Sequence, residues 1–183
     1  MAELSKEEEA IFNELISKYN LNKQQAAILA RDNRLYNFFI EALNEYSSPI
    51  TIANFVTNEV AKLLKEESKL KFSPKDIASL AKMADSEIIS NKIAKEVFDL
   101  MSKSGDNPEL IVEKNNLKQI SNPNELLPII KDIIAKNQDK AQQYKNGNQK
   151  LFGFFVGQVL KATNGKANPK IVNQLVKKSL DNK

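Results

Sequence analysis

The 183-residue chain has no cysteine, no histidine and no tryptophan. Without cysteine there are no disulfides and no thiolate nucleophiles. Without cysteine and histidine the usual zinc sites and any Ser-His-Asp triad are excluded. A cysteine-free chain fits a reducing compartment, and the expected location is cytoplasmic. Glycine (5) and proline (6) are scarce, so helices meet few breakers. No glycine-rich phosphate loop is present, and no segment alternates with period two long enough to make a strand. The start, MAELSKEEEA, is acidic where a signal peptide is basic and then apolar. The longest apolar run, Leu151–Leu160, is interrupted by Gln158 and is about half the roughly 20 residues a membrane span needs.

What is present is ordinary for a globular chain: 42% hydrophobic and 27% charged residues. The charge is unevenly placed. Residues 121–183 hold 11 lysines against 4 acids, a net +7, while residues 1–120 carry a net −3. A basic tail on a slightly acidic body points to a polyanionic partner.

Hydrophobic spacing gives an all-α fold. Ser5 and Glu7–Glu9 open a first helix in which Ile11, Phe12, Leu15, Ile16 and Tyr19 form a stripe. The three acids point about 100° apart and cannot converge on a metal ion. A second helix covers Lys23–Arg31, a third carries Leu35 to Tyr46, and Ser47-Ser48-Pro49 ends it. Residues 50–70 read as one long helix, with Asn54 and Asn58 near its buried face as partners for neighbouring backbone or for RNA. Ser73-Pro74-Lys75-Asp76, Ser90, Asn107-Pro108 and Asn122-Pro123 are further helix starts. Ser79-Leu-Ala-Lys82 has the S-x-x-K spacing of Ser/Lys hydrolases, but the S-D-N element is missing and the pattern arises easily by chance. The boundary is placed at Ser121, giving a helical domain over 1–120 and a basic tail domain over 121–183, the latter a small bundle of the three-helix type.

The densest stretch is Lys150–Asn173. Phe152, Phe155, Val156, Val159 and Leu160 form an apolar face. Gly153 and Gly157 lie one helical turn apart, and the groove they leave is expected to seat another helix. Each costs about 1 kcal/mol against alanine in a helix interior, so the pair implies a packing need. Lys161 and Gly165 end this helix, and Asn168-Pro169 open the last one. Lys150, Lys161, Lys166 and Lys170 surround the turn, where phosphates would meet cations and free backbone N–H groups. Any RNA contact here is expected to read phosphate and sugar, because aromatics are not interleaved with the lysines.

These residues resemble a known family. Tyr144-Lys-Asn-Gly147, Phe155-Val-Gly157-Gln-Val-Leu-Lys161 and Gly165-Lys-Ala-Asn-Pro169 are similar to the C-terminal end of the B subunit of bacterial tRNA-dependent amidotransferases, the GatB/YqeY family. Ile88-Ile-Ser-Asn-Lys-Ile-Ala-Lys95, Gly105-Asp-Asn-Pro-Glu-Leu-Ile-Val112 and Leu117-Lys-Gln-Ile-Ser121 extend the likeness upstream, and Asn54 and Glu59 fall on a further family pattern with Phe55 in place of Trp. The resemblance implies a non-catalytic, tRNA-binding part of a complex that amidates Glu-tRNA(Gln) or Asp-tRNA(Asn). No catalytic or metal-ligating residue is expected here, and ATP and Mg²⁺ would belong to a cradle domain outside these residues. The implied partners are the outer corner of tRNA and, through the missing domain, the A and C subunits, with neither DNA nor a membrane involved. Lys150, Lys161, Lys166 and Lys170 would meet tRNA phosphates, with Gly165 and Asn168 holding the turn. The alternative is a helical protein-interaction module without an RNA role.

Overall fold

The structure is a computed structural model describing residues 3–67 and 69–181. It is all-α, and no strand occurs among the described residues apart from one isolated parallel bridge, Ile120–Ala167. The helices are α1 (Lys6–Tyr19), α2 (Lys23–Arg31), α3 (Asn33–Glu45), α4 (Pro49–Asn54), α5 (Ala61–Glu66), α6 (Pro74–Asp85), α7 (Asn91–Ser104), α8 (Pro108–Lys114), α9 (Pro123–Lys136), α10 (Gln138–Lys145), α11 (Lys150–Ala162) and α12 (Pro169–Asp181).

Start signals act as their chemistry requires. The Ser5 side chain accepts a hydrogen bond from the Glu8 N–H at 3.1 Å, and Asn22 accepts from Gln25 at 2.8 Å. The Ser73 N–H donates to the Asp76 carboxylate at 2.9 Å, and Ser90 Oγ accepts from the Ile93 N–H at 3.1 Å. Pro128 sits inside α9 without ending it.

One expected helix is different in kind. Residues 50–70 do not form a single α-helix. Phe55–Val60, between α4 and α5, is a π-helical segment, α5 stops at Glu66, and position 68 lies outside the described residues. Thr57 is buried within this segment, and its hydroxyl donates back to the Ala53 carbonyl at 2.7 Å. Such back-bonding competes with the regular ladder and distorts helices. Asn54 and Asn58 are exposed, and Asn54 accepts a 2.6 Å hydrogen bond from the Gln25 amide.

The chain divides into two compact units. The first comprises residues 1–86 and 94–115, the second residues 87–93 and 116–183. In the first, α1 packs on α2, and α3 packs on α6. Leu15, Leu29, Phe39, Ile52, Ile77 and Leu80 are fully buried there. Phe72 meets Phe38 and Phe98 edge-to-face at centroid distances of 6.3 and 5.3 Å. The Asp85 carboxylate gathers the hydroxyls of Tyr46, Ser48 and Thr51 at 2.9, 2.6 and 2.7 Å, tying the end of α6 to the α3–α4 corner.

In the second unit, α9, α11 and α12 pack against one another, with α10 against α11. The core is Leu126, Ile130, Phe155, Val159, Val172, Val176 and Leu180, and it takes Phe155 and Val159 from the apolar face expected for α11. Residues 87–93 and 116–120, which the sequence reading placed in the 1–120 domain, group with this unit. Backbone hydrogen bonding supplies the reason. Ile120 donates to the Lys166 carbonyl at 2.7 Å and accepts from the Asn168 N–H at 2.9 Å, while Gln119 donates to the Ile88 carbonyl at 2.6 Å.

Candidate nucleic-acid interface

The second unit concentrates the positive charge. Beyond the +7 of residues 121–183, residues 116–120 add Lys118, and residues 87–93 add one acid and one lysine, so the unit carries a net +8.

Helix α11 presents a face that follows from its spacing. Positions 150, 153, 157 and 161 fall within about 80° of one another at about 100° per residue. All four are exposed, while Phe155 and Val159 on the opposite side are buried. Lys150 and Lys161 therefore stand about 16 Å apart along the axis at 1.5 Å per residue, with the two glycines between them. The expectation that Gly153 and Gly157 seat another helix of this chain is not met. A Cβ added at either would meet nothing within 4 Å. The pair lies opposite the helix side that carries the core contacts, so what the glycines leave is a smooth, open strip. Phe154 borders the strip, half-buried, with Lys140 Nζ 3.9 Å from its ring centroid.

The α11–α12 turn is built by backbone geometry. Asn164 and Gly165 have φ of 54° and 77°. The Gly165 N–H donates to the Leu160 carbonyl at 2.8 Å, closing the helix end, and an L-residue at 165 would be strained. Thr163, buried, accepts from the Ala167 N–H at 3.2 Å. Asn168, expected as N-cap, is only 5% exposed. Its Oδ1 accepts from the Lys170 N–H at 3.1 Å, and its Nδ2 donates to Glu87 Oε2 and Ser121 Oγ, both at 3.3 Å. Asn168 therefore holds the turn.

The four lysines are not equivalent. Lys150, Lys161 and Lys166 have no carboxylate within 4.0 Å among the described residues, whereas Lys170 Nζ pairs with Glu87 Oε1 at 3.1 Å. The hydrogen bonds from Lys170 and Asn168, with the Lys170 charge, hold the Glu87 carboxyl below its ordinary value. Sequence reading missed Glu87, and it missed Lys92, which is exposed and lies against the turn. A Cβ on Gly165 would sit 3.8 Å from Lys92 Nζ. Glu87 is separated from Asn168 and Lys170 by 81 and 83 residues, so no local pattern announces the contact.

Among the described residues, no group of three or more His, Cys, Asp or Glu side chains is placed to hold a metal ion. Among the described residues, no helix is long and apolar enough to cross a membrane.

The chain is all-helical, and among the described residues its second unit shows lysines without a carboxylate partner on an open helix face and around a glycine turn. The chain is a member of the GatB domain family, which matches residues 37–180. It is 42% identical over 169 residues to the aspartyl/glutamyl-tRNA(Asn/Gln) amidotransferase B subunit of Thermoanaerobacter sp. (strain X514), covering 90% of this chain and 36% of the relative. It is 43% identical over 169 residues to the B subunit of the same enzyme from Rickettsia bellii (strain RML369-C), covering 90% and 35%. The B subunit from Rickettsia felis (strain ATCC VR-1525 / URRWXCal2) is 41% identical over 168 residues, again covering 90% and 35%. The chain thus spans about a third of the length of these curated relatives, matching their C-terminal part.

Proposed function

We propose that this chain is a tRNA-gripping, non-catalytic part of an amidotransferase B subunit. It would hold the outer corner of Glu-tRNA(Gln) or Asp-tRNA(Asn) while amide transfer, with its ATP and Mg²⁺, proceeds elsewhere in the complex with the A and C subunits. The observation that carries the reading is the exposed strip of α11, where Lys150 and Lys161 flank Gly153 and Gly157 with open space above both glycines. A phosphate backbone is bulky and negative. It needs cations at intervals and a surface without side chains that hold it off. Lys166 extends the positive surface to the turn that Gly165 and Asn168 hold in shape. Contacts of this kind recognise the shape of a folded RNA and carry little sequence information.

The test is binding of the 183-residue chain to unfractionated tRNA across a salt series. The logarithm of affinity should fall linearly with the logarithm of salt, and Lys150→Ala and Lys161→Ala should each flatten the slope by about 0.7–0.9. Binding that is absent, or that ignores salt, refutes the reading and leaves the protein-interaction alternative.

A further inference from the structure

Four lysines carry the proposed interface in the sequence, yet one is engaged and a fifth was overlooked. Lys170, in the first turn of α12, is paired with Glu87 at 3.1 Å. Surface ion pairs between two flexible side chains are weak. This one differs because the Glu87 carboxylate is also gripped by Asn168, whose side chain is buried and fixed by the Lys170 N–H and Ser121. The carboxylate thereby sits beside the N-terminal end of α12, where the helix dipole favours an anion. An incoming phosphate that sought Lys170 would meet Glu87 there and be repelled. Lys92, by contrast, is exposed, lies along the Gly165 turn and has no carboxylate within 4.0 Å among the described residues.

We infer that Lys92, and not Lys170, is the RNA-contacting cation at the α11–α12 turn, and that Glu87 withholds Lys170 by occupying the anion position itself. This rests on the reading of the second unit as a tRNA-binding surface. It divides the basic cluster into contacting lysines (Lys92, Lys166) and a lysine that serves the protein's own carboxylate.

The experiment measures tRNA affinity against salt for wild type, Lys92→Ala, Lys170→Ala, Glu87→Gln and Glu87→Gln/Lys170→Ala in the 183-residue chain. Lys92→Ala should weaken binding and flatten the slope by about 0.7–0.9, while Lys170→Ala should leave the slope at the wild-type value. Glu87→Gln should tighten binding and steepen the slope by a similar amount, and the double variant should lose that gain. A slope unchanged by Lys92→Ala, a slope flattened by Lys170→Ala, or no gain from Glu87→Gln overturns the inference while leaving tRNA binding intact. A wild type that does not bind tRNA overturns both. Because Asn168 and Glu87 also support the fold, wild-type protein is footprinted in parallel by lysine acetylation. Bound tRNA should protect Lys92 and Lys166 and leave the Lys170 rate unchanged, and protection confined to Lys170 overturns the inference without any variant.

Discussion

Replacing Gly153 and Gly157 by alanine tests whether the α11 strip is open. Both glycines lie inside α11, exposed, with ordinary negative φ and no atom within 4 Å of an added Cβ. Nothing must move to accommodate a methyl group, so only helix propensity remains, and alanine is favoured there by about 0.5–1 kcal/mol per site. The strip positions share no packed neighbour, so the two effects should add to about 1–2 kcal/mol. For a unit of this size that corresponds to a rise in Tm of roughly 4–8 °C per kcal/mol. The assay is urea and thermal unfolding followed by far-UV circular dichroism. It is paired with tyrosine fluorescence, to which Tyr144, the tyrosine buried in the second unit, contributes. A glycine pair clasping another helix of the chain would give the opposite sign, because two added methyl groups would push the helices apart. Destabilisation by either single variant therefore refutes the structural reasoning. The functional reading adds a second expectation. The stabilised double variant should bind tRNA more weakly, because the methyl groups lift the phosphate backbone from the strip. Gly157→Leu should weaken it further with little effect on folding.

Asn168→Ala removes the α12 cap and should cost about 1 kcal/mol in urea unfolding, with Asn168→Ser recovering part of it by restoring an acceptor for the Lys170 N–H. Phe155→Ala empties the centre of the second unit and should cost about 3–5 kcal/mol, seen as an early loss of the Tyr144 signal. At Asp85, partial burial pushes the carboxyl pKa up, and the hydroxyls of Ser48, Thr51 and Tyr46 outweigh it, leaving the net value below the ordinary one. A folded-state value below the unfolded one means that the stabilisation is complete above the unfolded pKa of about 3.9 and is lost as pH falls through the folded value. Asp85→Ala should therefore lower stability by about 1 kcal/mol at neutral pH, a figure discounted for exposure, and the difference from wild type should shrink as pH falls below the unfolded value. Melts across that range check it, and a difference that persists in acid would show that the hydrogen bonds do not depend on the charge.

What the sequence determined alone are the features set by near neighbours. Helix starts are local chemistry, in which a cap residue and the first helical turn satisfy one another's backbone groups, and Ser5, Ser73, Asn107 and Asn168 each stand at the start of the helix they were expected to open. The core face of α11 followed from period 3.6, and the family likeness followed from the Tyr144–Pro169 stretch. The π-helical turn at Phe55–Val60 escaped because a six-residue change of pitch leaves the apolar pattern almost unaltered. The glycine pair was misread because spacing says which residues share a face and is silent on whether that face meets another helix or open space. Only the tertiary structure turned the strip outward. It alone also brought Glu87 and Lys92 to the α11–α12 turn, across more than seventy residues of sequence, through backbone hydrogen bonds from Gln119 and Ile120 that no side-chain pattern encodes. Local order is written in residues three and four apart. The partner of an exposed lysine is decided by where distant segments fold, and that is why the sequence counted four equivalent cations where the structure separates one from the rest.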